Sequence, residues 1–532
     1  MTETSPVALS KWQNFDLTLN EYGKPFFRFF VVFCIVYISA LSNFTLSIDD
    51  ETAALRTSDS AFVWLVQGRW TLYLIEKYFV SRPSIVAFPL MLFGMFASAS
   101  YVLVTKAMDV RQDDVRNYPL FVIFCAFPTI FFITNFMANL VGLGIGMFSC
   151  SVASLLYKHQ LRFRSSSFPG WLGHVILFCS QLILIATAVG AYESFLLLSA
   201  ALYVAMGINH YSTHVRQSTA SAMAWLLYAA VVVTAATAIS LAMGSLLGAS
   251  SGIVSSYVSG YLNPMMLIDS PRLIIGVALE QYSAVYGGSS AVYAFRYLAI
   301  PLLILIGFLA AIVSRANQTI WRRAFIALCL AGLSLVPFAL HFVSGGSLPY
   351  RTLVAVPFVV WVFASAASFS QFRPIRLVGS ALAMLVAIQC VYTLSLLQTN
   401  KRLALQHDNQ VAAQVYERIT QIVPDYRDDQ SYPIDFYGAV KYSGPYQDVD
   451  QSTYSGSFFE WNGGNSDRIR LFFVITGHPN FVQPIGAQRQ ATMTHWQDMR
   501  IWPQPDSIRY IDGVILVRLG RDAGLSHANL TP

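Results

Sequence analysis

The sequence predicts a polytopic α-helical membrane protein with a small C-terminal α/β domain outside the membrane. Of its 532 residues, 55% are hydrophobic and only 12% are charged, whereas soluble domains carry about 25% charged residues. Apolar windows of about 20 residues, the length of a spanning helix, recur along the chain as far as residue 397. After Thr399 the composition becomes that of a soluble domain.

About eleven windows are apolar and long enough to be membrane spans. The third and fourth are separated by little more than Asn139, and the sixth is short enough to be tilted or re-entrant. The predicted spans cover residues 27–47, 84–105, 118–137, 139–157, 171–190, 194–208, 221–248, 294–313, 324–343, 352–370 and 377–397.

The distribution of Lys and Arg predicts the orientation, because cytoplasmic loops carry an excess of these residues. One set of alternating loops and helix ends, which includes the N-terminus, carries fifteen of them, and the other set carries seven. We therefore expect a cytoplasmic N-terminus and a multi-spanning membrane domain over residues 1–398, with long outward loops at 48–83 and 249–293. Residues 399–532 are then an extracytoplasmic α/β domain.

Shorter patterns predict the secondary structure of the outward loops. The runs Phe62–Val66 and Trp70–Ile75 are too short to span a membrane, and we expect them to form helices at its interface. A weaker helical pattern covers Leu273–Tyr286 in the second loop.

The C-terminal region predicts a mixture of helix and strands. Leu405–Ile422 is typical of an amphipathic helix. Strands are predicted over 434–437, 471–475 and 508–517, and the last of these contains Asp512-Gly513 as a hairpin turn.

The stretch Ser47-Ile48-Asp49-Asp50-Glu51 places three carboxylates directly after the first apolar segment, although charges near lipid are costly. One interpretation is helix capping, in which Asp49 caps a helix and Asp50 and Glu51 lie in its first turn. The other is a catalytic cluster on the outer face, in which Asp49 or Asp50 is a general base.

Further polar residues are expected at helix ends on the same outward face. Arg351 begins a predicted helix, where a cation opposes the helix dipole, so its position indicates an anionic partner, with an interfacial anchor as the alternative. Glu193 is alternatively a solvated loop carboxylate, and His341 a side chain that extends to the surface. The candidate substrate-binding residues are Glu51, Arg56, Arg69, Tyr192, Glu193, His341 and Arg351.

Several classes of chemistry lack their motifs in this sequence. No P-loop, HExxH, GxSxG or dinucleotide fingerprint occurs in a supporting context. All six cysteines lie inside apolar segments, which disfavours a metal site or a disulfide framework. The cations lie mostly between apolar segments, so no nucleic-acid partner is expected. The carboxylates suit Mg²⁺ or Mn²⁺, but no further ligand is evident, so we expect no cofactor and metal-independent chemistry.

Carboxylates and arginines in one outward cavity match the needs of sugar transfer from a lipid-phosphate donor. A carboxylate removes the proton of the acceptor hydroxyl, and guanidinium groups offset the charge that grows on the leaving phosphate. No nucleotide-binding module is needed if the donor is a polyprenyl phosphosugar at the outer membrane surface.

In its motifs the chain resembles the bacterial glucosyltransferase family that modifies O-antigen in serotype conversion, within the GT-C class of multi-spanning glycosyltransferases. Glu193 stands where this family leads us to expect glutamine. The matching segments are Ile48-Asp49-Asp50-Glu51, Arg56, Trp64, Gly68-Arg69-Trp70, Ala191-Tyr192-Glu193-Ser194-Phe195, Pro349-Tyr350-Arg351-Thr352-Leu353, Gly456-Ser457-Phe458-Phe459-Glu460-Trp461 and Asp512-Gly513.

The resemblance implies a GT-C-like enzyme of the bacterial inner membrane with a periplasmic C-terminal domain. It implies transfer of glucose from undecaprenyl-phosphate glucose to a lipid-linked O-antigen or similar polysaccharide, in a single inverting step with Asp49 or Asp50 as the base. The implied partners are the donor lipid, the lipid-linked acceptor, membrane lipid, a donor-synthesising enzyme and a flippase.

Three other interpretations remain open from the residues alone. A transporter or lipid flippase explains many helices but not a C-terminal α/β domain of this size. Another GT-C enzyme, such as a protein mannosyltransferase or a polysaccharide polymerase, fits the charges less specifically. A non-enzymatic scaffold is opposed only by the placement of the charges.

Overall fold

The computed structural model describes a large helical body and a smaller α/β unit that the end of the chain forms. Parts of the predicted loop 249–293 and of the C-terminal domain lie outside the described residues. The structure describes residues 19–80, 87–162, 168–214, 217–250, 252, 263–313, 318–346, 348–444 and 456–528.

Apolar helices make up the body, as the sequence predicts. Within the described residues, seven helices are long and apolar enough to cross a membrane, or eight if one bent pair is a single span. Two shorter apolar helices add to these. The architecture is that of a membrane protein, while the number of about eleven spans stays a prediction.

The bounds of the helices agree with most of the predicted segments. The described α-helices of the body are α1 (Lys24–Val36), α2 (Ile38–Ser42), α3 (Asp50–Leu55), α4 (Val63–Val66), α5 (Trp70–Tyr78), α6 (Ala87–Ala107), α7 (Asn117–Ala126), α8 (Pro128–Thr134), α9 (Leu140–Arg162), α10 (Phe168–Ala191), α11 (Phe195–Thr213), α12 (Thr219–Ser250), α13 (Met265–Asp269), α14 (Pro271–Tyr286), α15 (Ser290–Tyr293), α16 (Ala299–Val313), α17 (Ile320–Leu335), α18 (Leu340–Ser344), α19 (Val356–Ser368) and α20 (Arg373–Ile422).

The first and third predicted spans are each divided. Helix α1 ends at Val36, and after α2 the chain passes through an extended Asn43 and reaches the acidic stretch without regular secondary structure. Between α7 and α8, Phe127 is extended with ψ 139°, which is the conformation that a residue before proline favours. The two helices therefore bend by 46°, and the chain after α8 turns through Asn135 to Asn139 on the side of the acidic stretch.

The two short helices predicted in loop 48–83 are present as α4 and α5. One face of each helix is buried inside the protein, with Trp64 at 3% and Trp70 at 9% exposure, while Tyr78 at the end of α5 is exposed. The indole of Trp70 also donates to Ser240 of α12 at 2.9 Å. This loop is therefore packed onto the helical body.

The last predicted span and the amphipathic helix after it form one continuous helix. Helix α20 runs for 50 residues from Arg373 to Ile422, because no glycine or proline interrupts the chain between the two predicted segments. Its second half buries one face at helical spacing, including Val411, Val415 and Ile419. The separate helix predicted to begin at Leu405 is thus a continuation of α20.

The end of the chain contains a four-stranded sheet with the strand order β2-β1-β4-β3. Strand β1 is parallel to both neighbours, and β3 and β4 form the predicted antiparallel hairpin. Asp512 and Gly513 turn this hairpin with φ angles of 49° and 78°, a left-handed turn that matches the twist of the strands. The strands are β1 (Tyr432–Tyr437), β2 (Phe481–Val482), β3 (Ile508–Ile511) and β4 (Val514–Arg518).

The strand predicted over 471–475 is wrong, because this segment belongs to helix α21 (Ser466–Ile475). Asn465 caps the helix by accepting from the N–H groups of Asp467 and Arg468. Ile469, Phe472 and Phe473 are fully buried, a spacing that belongs to a helix face rather than to a strand. Two short helices, α22 (Gly486–Thr492) and α23 (Leu525–Ala528), complete the unit.

The core of the C-terminal unit includes two residues from the start of the chain. Leu46 and Ile48, which flank Ser47, are 6% and 1% exposed and pack with residues of α20, α21 and the sheet. Burying two aliphatic side chains stabilises this contact by about 3 to 6 kcal/mol. The acidic stretch is therefore held by the C-terminal unit.

The predicted orientation is testable by fusions to an alkaline phosphatase that is active only outside the cytoplasm. We expect activity from a fusion after Leu519 and none from a fusion after Arg162, because the cation excess places the second position inside. Immunoblots control for expression, and the opposite pattern contradicts an outward acidic stretch.

Candidate active site

The acidic stretch adopts a strained turn and then a helix. Asp49 has φ 81°, in the left-handed region that costs a non-glycine residue about 1 kcal/mol or more. It precedes α3, but its side chain makes no capping hydrogen bond. Asp50 and Glu51 lie in the first turn as predicted, and Asp50 Oδ2 accepts the Ser47 N–H at 2.8 Å. The capping role considered for Asp49 is therefore wrong.

Arg468 of α21 binds two of the three carboxylates. Its Nη2 donates to Asp49 Oδ1 at 2.6 Å, and its Nη1 donates to Glu51 Oε1 at 2.5 Å. The Glu51 side chain is fully buried, whereas the Asp49 side chain is 43% exposed. Removing one partner of a buried ion pair costs about 3 to 5 kcal/mol, and the charge of Arg468 favours the ionised form of Glu51, which burial disfavours.

Burial sets the protonation of the two inner carboxylates. Burial raises the pKa of Glu51 to about 7, and the charge of Arg468 opposes this rise. Burial also raises the pKa of Asp50, and the ammonium of Lys401 on α20 opposes it. Asp49 is thus the one carboxylate of the stretch whose side chain is substantially open to solvent.

Arg69 is the centre of a second group. Its Nη1 donates to Asn139 Oδ1 at 2.9 Å, and its Nε lies 3.9 Å from Glu193 Oε2. The guanidinium also lies 4.9 Å from the ring centroid of Tyr192, within cation–π range. Burial raises the pKa of Glu193, and the charge of Arg69 opposes this rise. Arg69 from the first outward loop therefore meets Tyr192 and Glu193 from the turn between two later helices.

Arg56 is joined to this group through Trp64. Arg56 Nε donates to Glu76 Oε1 at 2.7 Å, and Trp64 Nε1 donates to Glu76 Oε2 at 2.6 Å. The Trp64 ring lies 4.6 Å from the guanidinium of Arg56 and 5.9 Å from that of Arg69. These contacts position Trp64 between two cations, while a direct contact of Arg56 with substrate stays a prediction.

Residues 135–139 connect the acidic stretch with the arginines. The Ser47 hydroxyl donates to the Asn135 carbonyl, and Asn139 accepts from Arg69. Between them, the Phe136 ring lies 5.1 Å from the guanidinium of Arg351. Arg351 is in a short 3₁₀ turn, Tyr350–Thr352, and its carbonyl accepts from the Tyr192 hydroxyl at 3.5 Å. One short segment therefore contacts the acidic stretch, Arg69 and Arg351.

His341 lies behind this site. It is fully buried, its Nδ1 lies 3.0 Å from the Phe338 carbonyl, and its Nε2 lies 2.7 Å from Gln281 Oε1. Gln281 in turn donates to the Leu348 carbonyl at 2.9 Å, three residues before Arg351. This chain of bonds supports the Arg351 turn, and contact of His341 with substrate stays a prediction.

Several residues of the site escape sequence reasoning. Arg468 lies more than 400 residues from its partners, with no local motif to mark it. Glu76 and Asn139 look like ordinary polar positions, although Asn135 and Asn139 interrupt an otherwise apolar stretch. Lys401 and Arg402 did carry a signal, because they form a cation pair directly after the last apolar window. Among the described residues, no cluster of three or more His, Cys, Asp or Glu side chains is arranged to hold a metal ion.

Comparison with known protein families assigns the class. A family model of glucosyl transferases matches residues 38–367, a range that contains every predicted site residue and more than half of the chain. The protein is therefore a membrane glycosyltransferase. The family is described as Glucosyl transferase GtrII, and the chain belongs to it, which confirms the resemblance to the serotype-conversion glucosyltransferases. No curated protein and no solved structure matches the chain.

The raised pKa of Glu51 predicts a pH-dependent stability. Because the folded protein holds a proton on Glu51 up to about pH 7, while the ordinary pKa is 4.5, the folded state loses relative stability as the pH rises from about 4.5 to about 7. The loss amounts to at most about 3 kcal/mol.

Melting temperatures in detergent at a series of pH values measure this effect. Glu51→Gln should reduce the decline between pH 4.5 and 7 and leave the part that the raised pKa of Asp50 contributes, while Asp522→Asn, which removes an exposed carboxylate, should keep the decline in full. Equal pH profiles for wild type and Glu51→Gln contradict the assignment.

Proposed function

We propose that this enzyme transfers glucose from undecaprenyl-phosphate glucose to a lipid-linked O-antigen or similar surface polysaccharide at the periplasmic face of the inner membrane. The observation that carries the proposal is the acidic stretch, where a partly exposed Asp49 lies beside two buried carboxylates and the cations Arg468 and Lys401. Membership of the glucosyl transferase family indicates that the sugar is glucose. The apolar body is suited to a lipid donor.

The reaction is proposed as a single inverting displacement. The acceptor hydroxyl oxygen forms a bond to the anomeric carbon of the glucose, and the bond between that carbon and the phosphate oxygen breaks. The hydroxyl proton passes to a carboxylate, and undecaprenyl phosphate leaves with the electron pair. Cations then offset the charge that collects on the phosphate.

Exposure favours Asp49 over Asp50 as the base. A general base must lie within hydrogen-bond reach of the proton that it removes, and the side chain of Asp50 is fully buried while that of Asp49 is not. The pair with Arg468 fixes Asp49 Oδ1, which orients the carboxylate. Asp50 then contributes charge and holds the turn through Ser47.

The remaining residues suit binding of the two sugars. Arg69, Tyr192 and Glu193 combine charge, hydrogen-bonding groups and an aromatic ring in one group, the mixture that sugar hydroxyls and ring faces require. A donor-synthesising enzyme and a flippase are the proposed partners in the pathway. A polysaccharide polymerase or a protein mannosyltransferase would use the same geometry with a different acceptor.

The direct test is incubation of the purified protein with a panel of polyprenyl phosphosugars and a lipid-linked acceptor. We expect release of undecaprenyl phosphate from the glucose donor. Absence of release with the whole panel contradicts the proposal, and release with another sugar alone contradicts the glucose assignment.

The role of Asp49 predicts a large loss of rate in Asp49→Asn. Loss of a general base costs about a hundred- to ten-thousand-fold in rate, and asparagine keeps the shape and tolerates the left-handed backbone. We expect kcat to fall within this range while the melting temperature stays near wild type.

Asp50→Asn is the matched variant in the same turn. It should lose less activity than Asp49→Asn, since Asp50 is buried. If Asp50→Asn is the inactive variant and Asp49→Asn is active, Asp50 is the base. If both are active, the acidic stretch is not catalytic.

A further inference from the structure

A cavity of about 290 Å³ lies next to the acidic stretch, between the outer end of the first span and the middle of α20. Ala40, Asn43 and Thr45 form one wall, and Thr134, Asn135 and Met137 form another. The third wall is about two and a half turns of α20, which contribute Gln398, Thr399, Lys401, Arg402, Leu403 and Gln406. Asn135 is also the residue that accepts from Ser47 of the acidic stretch.

Among the described residues that line this cavity, the charged side chains are both cations. Lys401 lies at its inner side, 4% exposed, where its charge acts on Asp50. Arg402 lies at its outer side and is exposed. One of the five N–H groups of Arg402 donates to Asn43 Oδ1 at 3.0 Å, which joins α20 to the opposite wall. The cavity is therefore built for an anion next to the acidic stretch.

Apolar side chains lie exposed beside the cavity. Ile38 and Phe44, next in sequence to the lining residues Ser39 and Asn43, are each 63% exposed, and Met91, next to the lining residue Leu90, is 44% exposed. Such exposed apolar residues on a membrane protein belong to its lipid-facing surface. The cavity thus has a cationic end beside Asp50 and an apolar side toward the membrane, so it suits a ligand with an anionic head and an apolar tail.

We infer that this cavity holds the phosphate of the polyprenyl phosphate donor, with Lys401 and Arg402 as its cationic ligands and the lipid tail leaving across Ser39. The inference rests on the proposed function and specifies where its donor binds. The volume is at the lower end of the range of small-ligand sites, about 300 to 1,000 Å³, so it suits a head group and the start of a tail. Lys401 then lies between the phosphate and the acidic stretch, beside the bond that breaks.

This assignment differs from the expectation drawn from Arg351, whose position at a helix start indicated an anionic partner. Arg351 is stacked on Phe136 and adjoins Tyr192, on the side of the group formed by Arg69 and Glu193. Arg351 and the pair Lys401 and Arg402 are therefore two alternative positions for the donor phosphate. Measurements of phosphate binding by variants at each position distinguish them.

The experiment measures the Kd of radiolabelled undecaprenyl phosphate and the KM of undecaprenyl-phosphate glucose for purified full-length variants. Arg402→Gln should raise both by about ten-fold or more, the effect of losing a charge-assisted hydrogen bond, and should also lower kcat, because this cation offsets the charge that collects on the leaving phosphate. Arg402→Lys should recover part of the affinity, because the charge remains. Ser39→Trp, which fills the exposed mouth without changing a charge, should also raise Kd by about ten-fold.

Arg427→Gln is the matched control, because Arg427 is an exposed arginine whose ion-pair partner is the surface residue Asp429. It should leave Kd and KM unchanged. Phosphatidylglycerol and inorganic phosphate serve as competitors, and neither should displace undecaprenyl phosphate at equal concentration.

Wild-type Kd values for both Arg402→Gln and Ser39→Trp overturn the inference, as does a loss of binding in Arg351→Ala alone. Equal displacement by phosphatidylglycerol also overturns it, because the site is then a general site for anionic lipid. In all of these results the wild type still transfers glucose, so the proposed function stands. A wild type that transfers no glucose contradicts the proposed function, whatever the binding shows.

Discussion

The ion pairs of Arg468 with Asp49 and Glu51 join two parts of the chain that are more than 400 residues apart. Without Arg468, Glu51 would be a buried carboxylate with no compensating cation, a state that proteins avoid. The apolar contacts of Leu46 and Ile48 with the C-terminal core hold the same stretch from the other side. The C-terminal unit is therefore part of the candidate active site rather than an appendage.

The long helix α20 contributes to the same arrangement in two ways. Near its middle it presents Lys401 to Asp50. Further along, Asp408 is buried and accepts from the Ser457 hydroxyl and the Phe458 N–H, which fixes the segment that leads to α21 and Arg468. A single continuous helix thus links the apolar body, Lys401 and the domain that carries Arg468. Such a helix fixes the relative positions of these parts more firmly than two helices joined by a loop.

The parts of the structure that depend on local pattern were accessible from the sequence. Asp512-Gly513 predicts its hairpin because few residues adopt the required left-handed turn, and the apolar windows predict most of the helices. The apolar run 471–475, with Phe472 and Phe473, is typical of a strand. Only the longer pattern, with the cap at Asn465 and the buried Ile469, indicates a helix. The continuation of α20 from 397 to 405 is not predictable from composition, because the sequence changes from apolar to polar there while the helix continues.

The residues of the candidate site also fall into two groups, those that the sequence indicates and those that only the fold brings together. Asp49, Asp50 and Glu51 are adjacent in sequence, and Arg69, Tyr192 and Glu193 stand at predicted helix ends. Their partners Arg468, Glu76 and Asn139 are defined only by the tertiary fold, and no spacing in the sequence points to them. The burial that raises the pKa of Glu51 likewise follows from the docking of a domain that begins some 350 residues later.

Arg468 keeps the acidic stretch in its active arrangement. A double-mutant cycle of transfer rates tests this role, with wild type, Arg468→Gln, Glu51→Gln and the double variant. Because both single changes break the same ion pair, we expect the double variant to be no slower than Arg468→Gln alone, with a coupling energy of about 1 kcal/mol or more. Losses that multiply, as for independent sites, would contradict this role of Arg468.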